Sequence, residues 1–354
     1  MTDFFSAYGL FLAKTVTLVA ALLFVMAAAA ANRQKGKKAE KGTLLITHLN
    51  KEIDALRDEI RQAVQDKDVF KREVKAEKKQ QKMEHRARKK SMTGDAPADT
   101  DKKRVYVIDF EGDTKASEVD SMRKVITAVL AVARPGLDEV LLRLESTGGM
   151  VHSYGLAASQ LERIRHHQIR LTICVDKVAA SGGYMMACLG DRIFAAPFAI
   201  LGSVGVLMQL PNFHRLLKDN KVDFEMITAG EYKRTLTIFG ENTEKGREKM
   251  EEDIQDVHIL FKDFIRSQRP ALDVDKIATG ETWFGTRALA LNLVDELKTS
   301  DECILTACAD ADVFGVVYQQ KKNLSERLNA VLEHSIVGAL SNWVQKVSKT
   351  RYFS

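Results

Sequence analysis

The sequence predicts an α/β fold: a parallel sheet with flanking helices, preceded by one N-terminal transmembrane helix and a charged helical stalk. Three observations predict it. Beyond residue 104, strand-like apolar runs alternate with segments of helical periodicity. A long uncharged apolar segment and then a strongly charged segment precede that part. With 354 residues, 45% of them hydrophobic, the chain can bury a sizeable core.

Residues 9–31 are predicted to form a transmembrane anchor. Thr15 to Ala31 are 17 residues without a charge, and only Lys14 interrupts the longer run that starts at Gly9. That length spans a bilayer. A cleaved signal peptide carries its positive charge before the apolar run, whereas here the cations follow it, at residues 33, 35, 37, 38 and 41. We therefore expect an uncleaved anchor in contact with the lipid bilayer, and the positive-inside rule would keep the downstream chain in the cytoplasm.

A charged helical stalk is predicted over residues 44–90, followed by a linker at 91–103. Its apolar positions follow a heptad seam, which could pair with a partner helix: Leu49, Ile53, Leu56, Ile60 and Ala63. Residues 71–90 hold ten Lys and Arg against three Glu, typical of a solvated stalk or of a surface for anionic lipid. Interleaved aromatic residues and nucleic-acid-binding motifs are missing, which argues against nucleic acid as a partner.

The globular domain is predicted to cover residues 104–320. Its first half reads as strand, helix, strand, helix, strand at 105–110, 119–130 (capped by Ser117), 140–144, 154–165 and 169–175. This order implies parallel strands, whose carboxyl ends carry the functional loops. The Gly148-Gly149 turn and Ser181 should therefore emerge at the same edge of the sheet.

The second half is predicted to contain two strands, a long amphipathic helix and a last unit, at 204–209, 222–227, 243–268 and 284–293. Lys233 lies in the polar loop before the long helix. Residues 321–354 are predicted to contain a C-terminal amphipathic helix, which could dock on the core, a neighbouring subunit or the membrane surface.

Ser181 is the candidate nucleophile. It stands among small residues where an apolar strand ends and an apolar helix begins, and Gly182-Gly183 permits a sharp turn there. The unpaired amides and the dipole of the helix favour an attacking alkoxide and the oxyanion that it creates. Taken by itself, the same pattern also fits a serine that only caps the helix.

Gly148 and Gly149 could supply oxyanion-binding amides that a peptide carbonyl can approach closely. The base is less evident. His152 and His214 are possible, and a lysine such as Lys233 can accept a proton only in an apolar pocket that favours its neutral form. The four cysteines form no CxxC pair, so that neither a metal site nor a disulfide framework is indicated.

Four motifs at consistent separations resemble the bacterial signal peptide peptidase A (protease IV) family, most closely its SohB branch. They are Ser146-Thr147-Gly148-Gly149, Ala179-Ala180-Ser181-Gly182-Gly183-Tyr184, Leu201-Gly202-Ser203-Val204-Gly205-Val206 and Ala229-Gly230-Glu231-Tyr232-Lys233. The resemblance covers roughly residues 105–300, and the anchor with its charged region also looks like SohB. It implies a serine endopeptidase with a Ser/Lys dyad on a sheet similar to those of crotonases and Clp proteases.

By this resemblance Ser181 is the nucleophile, Lys233 the general base, and Ser203 the hydroxyl that orients the lysine. Gly148 resembles the oxyanion donor, with Gly149 and Gly182 beside it. Thr147 stands where the family usually has proline, which loosens the turn but leaves its amides in place. The resemblance further implies a peptide or protein substrate, no metal or cofactor, and a homo-oligomer in which a neighbouring subunit can complete a site.

Several alternatives remain open at this point. A catalytically inactive membrane scaffold, an acyl-CoA enzyme of the crotonase type, and a Ser-His peptidase would share parts of the pattern. The anchor and the resemblance imply the bacterial inner membrane. The side of the membrane stays open, because the family's protease domains are generally extracytoplasmic whereas the positive-inside rule places this one in the cytoplasm.

Overall fold

A large, mostly parallel sheet organises the protein. The computed structural model describes residues 42–76 and 102–319, together with residues 11, 12, 14–17, 19, 79 and 83. Within them the strands are β1 Thr43–His48, β2 Arg104–Gly112, β3 Glu139–Ser146, β4 Arg170–Val175, β5 Val178–Ala180, β6 Arg192–Ala195, β7 Ile200–Gly202, β8 Thr282–Phe284, β9 Glu296–Leu297 and β10 Asp312–Gln319.

The main path of the sheet runs β1-β10-β2-β3-β4-β6-β9. A side branch leaves it at β3, where β5 pairs with β3 and β7, and β8 pairs with β7. The neighbours from β10 to β9 are parallel, as are β5 and its partners, whereas β8 runs antiparallel to β7. The predicted parallel α/β sheet is thereby confirmed.

Helices cover both faces of the sheet. They are α1 Leu49–Val64, α2 Val119–Leu130, α3 Val151–His166, α4 Gly182–Ala187, α5 His214–Asp219, α6 Glu244–Gln268, α7 Val274–Ile277, α8 Gly285–Ala290 and α9 Ser300–Asp310. Residues 67–76 are also helical. The predicted helices at 119–130, 154–165 and 243–268 are confirmed as α2, α3 and α6.

Alternate residues of each central strand point to opposite faces and fill two apolar clusters, as the period of a strand requires. Ile108 of β2 and Leu142 of β3 pack in the larger cluster with α2 and α3. Val107 and Leu141 pack in the smaller one with α9, and Leu49 and Ile53 of α1 lie against it. Because both faces are covered, these strands are nearly continuous apolar runs, which made them easy to predict.

The segment predicted to be a helical stalk begins with a strand. Residues 43–48 form strand β1 beside β10, and helix begins only at Leu49. The first two residues of the predicted heptad seam pack on the sheet, whereas Leu56 and Ile60 are exposed. Residues 44–319 form one compact unit. The predicted boundaries between stalk, linker and globular domain stay a prediction.

Two predicted strands, 204–209 and 222–227, are wrong. Both segments are irregular, and no neighbouring strand pairs with them in the described part of the chain. Val204 is buried in the core, whereas most of the other apolar side chains lie at the surface, with Leu207 78% and Ile227 96% exposed. An apolar run alone cannot distinguish a buried strand from a surface segment.

The predicted cap of α2 is also wrong. Ser117 donates its amide (2.8 Å) and its hydroxyl (2.8 Å) to the Asp113 carboxylate. The helix then begins at Val119 behind Glu118, which makes no side-chain capping bond. The Ser117 hydroxyl, which the sequence pattern predicts to cap the helix, is thus bonded to the Asp113 carboxylate instead.

Much of the chain predicted to meet the membrane lies outside the described residues. Of the predicted anchor at 9–31, residues 11, 12, 14–17 and 19 are described, as helix. The predicted C-terminal helix within 321–354 and most of the linker at 91–103 are not described. No helix among the described residues has both the length and the apolar character that crossing a bilayer requires.

Asn50 joins α1 to the sheet, which generates a stability prediction. Its amide nitrogen donates to the carbonyls of Cys308 (3.0 Å) and Ala311 (2.9 Å), and its oxygen accepts from the Val313 amide (2.7 Å). Asn50→Ala leaves these three backbone groups without that partner, and we expect the free energy of unfolding to fall by about 2 kcal/mol. Urea denaturation measures it.

Lys51→Ala on the exposed side of α1 is the control, expected to change the free energy of unfolding by less than about 0.5 kcal/mol. Equal stabilities of the two variants would contradict the docking of α1 by Asn50.

Candidate active site

Ser181 lies in a strained turn between β5 and α4. Its backbone has φ 52° and ψ −119°, a conformation that residues with a side chain rarely adopt. The turn is held by pairing with β7, since the Ser181 amide donates to the Gly202 carbonyl at 2.8 Å. Such a strand-to-helix turn resembles the sharp elbow that exposes a nucleophilic serine in α/β-hydrolases.

The Gly148 turn packs directly against Ser181, as predicted from the parallel strand order. β3 ends beside β5, with Ser146 opposite Ala179. A Cβ added at Gly148 would lie 2.7 Å from Ser181 Cβ and 2.6 Å from the Gly182 nitrogen. Gly148 also has φ +86°, which favours glycine. Only a residue without a side chain permits this approach of the two turns.

The amides of the predicted oxyanion site differ in their partners. The Gly148 amide donates to Ser146 Oγ at 3.1 Å. The amides of Gly149 and Gly182 have no hydrogen-bond partner within the described residues. Gly182 is the first residue of α4, where helix amides lack intrahelical acceptors. The role of Gly148 as an oxyanion donor stays a prediction, and it requires release of that amide from Ser146.

Ser203 lies beside Ser181. Ala180 at the end of β5 is opposite Gly202 at the end of β7, so that each serine is the next residue along its parallel strand. Ser203 also has a left-handed backbone, φ 52°, and its amide donates to the Glu281 carbonyl at 2.6 Å. The orienting role predicted for its hydroxyl is untested by these contacts.

Lys233 lies in a surface segment that we call the arm, residues 204–243. Its amide donates to the Gly230 carbonyl at 3.1 Å, and its side chain is exposed. The two preceding residues contact α6: Glu231 forms an ion pair with Lys245, and the Tyr232 ring lies 5.9 Å from the Lys245 ammonium.

Lys233 and Ser181 form no hydrogen bond with each other within one chain. In the described part of the protein, neither Ser181 Oγ nor Lys233 Nζ has a hydrogen-bond or ion-pair partner. His152 is exposed on the first turn of α3, and His214 begins α5 in the arm. Neither histidine is hydrogen-bonded to Ser181.

Sequence reasoning missed two hydroxyls beneath the Gly148 turn, Ser146 and Tyr154. Their oxygens lie 2.5 Å apart, and Tyr154 also donates to the Asp113 carbonyl at 2.7 Å. Burial raises the pKa of Tyr154 and outweighs the opposing effect of its hydrogen bond with Ser146, so that the hydroxyl keeps its proton at neutral pH. Ser146 stands in the quoted turn motif, but no sequence signal linked it to Tyr154.

The described residues contain no group of three or more His, Cys, Asp or Glu that could hold a metal ion. All four cysteines are free thiols.

Comparisons with known proteins show the family of the chain. The family model described as Peptidase family S49 N-terminal matches residues 3–161, and the model for Peptidase family S49 matches residues 163–314. "Probable protease SohB" of Haemophilus influenzae is 45% identical over 350 residues, 99% of each chain. This chain belongs to peptidase family S49.

A second relative covers less of this family S49 chain. "Probable protease SohB" of Buchnera aphidicola subsp. Schlechtendalia chinensis is 46% identical over 311 residues, which are 86% of this chain and 99% of that one. Together the comparisons confirm the resemblance to the SohB branch and support a peptidase, a hydrolase of peptide bonds.

Gly149 provides a test of the site. A Cβ at this position would lie 2.1 Å from the Thr114 carbonyl oxygen, so that Gly149→Ala must displace the turn beside Ser181. We expect peptide hydrolysis to fall about 100-fold, because small displacements of catalytic donors have effects of that size.

The matched control is Gly155→Ala in α3, where an added Cβ has no atom within 4 Å. It should keep full activity and stabilise the protein by about 0.5–1 kcal/mol, through the helix propensity of alanine. Activity of Gly149→Ala equal to that of this control would show that the turn does not take part in the reaction.

Proposed function

We propose that the protein is a membrane-anchored serine endopeptidase in which Ser181 is the nucleophile and Lys233 the general base. The observation that carries the proposal is the turn at Ser181 in a family S49 chain. A strained backbone presents the hydroxyl there beside two amides without partners, those of Gly149 and Gly182. This combination suits attack on a carbonyl and stabilisation of the resulting oxyanion.

The proposed reaction is acyl transfer. Neutral Lys233 removes the Ser181 proton, and the oxygen of Ser181 attacks the peptide carbonyl. As the tetrahedral intermediate collapses, the C–N bond breaks and the lysine ammonium returns the proton to the leaving amine. The lysine then deprotonates a water molecule, which attacks the ester carbonyl. As the bond to Ser181 Oγ breaks, the lysine ammonium returns the proton to Ser181 and the acid product leaves. Ser203, beside Ser181 at the end of β7, would orient the lysine amine.

We propose that a second copy of the chain completes the dyad in a homo-oligomer. The arm supports this, because it carries many exposed apolar side chains besides Lys233: Leu207, Met208, Phe213, Leu216, Val222, Phe224, Met226, Ile227, Tyr232, Ile238 and Phe239. Exposed apolar patches of this kind mark interaction surfaces. A neighbour covering the arm would also supply the apolar surroundings that favour a neutral lysine.

The proposed substrate class is the one that the family resemblance implies. We propose remnant signal peptides or misfolded membrane-associated polypeptides, with small or apolar residues near the cleaved bond. Membrane anchoring through residues 9–31 would bring such substrates to Ser181.

Complementation between variants tests the dyad. Ser181→Ala and Lys233→Ala should each lose at least about 1,000-fold in peptide hydrolysis when alone. Mixed under conditions that allow subunit exchange, they should regain about a quarter of the wild-type activity, since one site in four then combines an intact serine with a partner's intact lysine.

Lys218→Ala, an exposed lysine of the same arm, is the control and should keep its activity. Full activity of Lys233→Ala would end the proposal. If the mixture stays inactive although the subunits have exchanged, the dyad does not form between subunits.

Variants of His152 and His214 separate this proposal from a Ser-His peptidase. Alanine at either position should leave phosphonylation of Ser181 by a fluorophosphonate probe, with release of fluoride, unchanged. Loss of labelling in a histidine variant, with labelling retained in Lys233→Ala, would favour the Ser-His mechanism. A wild-type protein that is neither labelled nor active would favour the inactive scaffold.

The membrane anchor has its own test. The full chain should stay in the membrane fraction after alkaline carbonate extraction, whereas a chain that begins at residue 42 should be released. Alkaline phosphatase fused after Lys103 then reports the side, because that reporter is active only outside the cytoplasm. Release of the full chain by carbonate would exclude an integral anchor.

A further inference from the structure

Tyr154 stands at the centre of the turns that form the proposed oxyanion site, although it lies on the helix that follows them. Its side chain is completely buried on the first turn of α3. A Cβ at Gly182 would lie 2.4 Å from Tyr154 Cγ, so that the ring packs against the backbone that starts α4. The ring and the hydroxyl therefore contact two different segments of the site.

The hydroxyl belongs to a chain of hydrogen bonds with a determined direction. The Gly148 amide can only donate, and it donates to Ser146 Oγ at 3.1 Å. The Asp113 carbonyl can only accept, and it accepts from the Tyr154 hydroxyl at 2.7 Å. The central bond, 2.5 Å long, must then run from the Ser146 hydroxyl to Tyr154 Oη. The Gly112 carbonyl, 3.3 Å from Ser146 Oγ, is a more distant acceptor for the same proton.

This chain determines which amides remain without a partner. It engages the Gly148 amide and thereby orients the peptide that leads to Gly149. On the outer side the turn lies against Thr114, whose carbonyl accepts the Met150 amide at 2.9 Å. Between these two attachments, the Gly149 amide is left without a hydrogen-bond partner in the described structure.

We propose that Tyr154 is a positioning residue for catalysis, which acts through Ser146 to hold the Gly148-Gly149 turn and through its ring to hold Gly182. It touches neither the substrate nor the reacting atoms. Its loss would displace oxyanion donors without changing substrate-binding contacts, and would therefore lower kcat more than it changes KM. This inference rests on the proposed function of Ser181.

The test uses the full-length chain in detergent with two probes, a trialanine p-nitrophenyl ester and the corresponding tripeptide boronate, which forms a tetrahedral adduct with a serine oxygen. Tyr154→Phe keeps the ring and removes the hydroxyl. We expect kcat for the ester to fall at least about 10-fold with KM within about 2-fold, and boronate affinity to weaken by a similar factor.

Tyr184→Phe is the matched control. Tyr184 is equally buried, and its hydroxyl donates to the Leu293 carbonyl at 3.0 Å, outside the chain described above. Tyr154→Phe loses its hydrogen bonds with Ser146 and Asp113, and Tyr184→Phe loses the one with Leu293, so that both variants should lower the melting temperature. Only Tyr154→Phe should lower kcat and boronate affinity.

A double-mutant cycle tests the route of the effect. Ser146→Ala removes the middle of the chain and should reproduce the kcat loss of Tyr154→Phe, and the double variant should lose little more. If the kcat losses of the two single variants multiply in the double variant, the two residues do not act through one chain of hydrogen bonds. A kcat of Tyr154→Phe within 2-fold of that of Tyr184→Phe would overturn the inference, while an active Ser181→Ala variant would overturn the proposed function as well.

Discussion

The close approach of the Gly148 turn to Ser181 is the constraint on which the rest of the site depends. Parallel pairing of β3 with β5, and of β5 with β7, brings three strand ends to one edge of the sheet. Because Gly148 has no side chain, its backbone can lie against Ser181 Cβ and the first amide of α4. Without that packing Ser181 and the amides around it would not lie together.

The close packing around Ser181 and Ser203 holds these residues in a strained backbone conformation. Left-handed conformations at Ser181 and Ser203 each cost on the order of 1–3 kcal/mol. The surrounding structure holds them, since Ser181 is bonded to Gly202 and Ser203 to Glu281. Behind them Tyr154 and Ser146 fill the interior with a directed hydrogen-bond chain. This closely packed region is thus built into the sheet and the helices that follow its strands.

The arm, residues 204–243, is packed much less closely than the region around Ser181. It is joined internally by a few contacts, such as the bond from the Phe213 amide to the Ile238 carbonyl (2.7 Å), and exposes most of its apolar side chains. Its two apolar runs were predicted as strands because the period of a sequence reports apolar character and not the presence of a neighbour to pair with. The sequence predicted the position of Ser181 because a strand end and a helix start are set by neighbouring residues. The surroundings of Lys233 depend instead on contacts with residues that are distant in the sequence.

The sequence by itself determined the α/β class, the long central elements and the glycine and serine positions at one sheet edge, because long periodic runs and backbone turns are local properties. The short strands β6, β7 and β9, the docking of α1 and the engagement of the Gly148 amide were decided only by tertiary structure. Asn50 contacts residues some 260 positions away in the sequence, and Tyr154 is hydrogen-bonded to Asp113, 41 positions before it. Such pairings arise when the packed sheet brings distant segments together, and no local pattern encodes them.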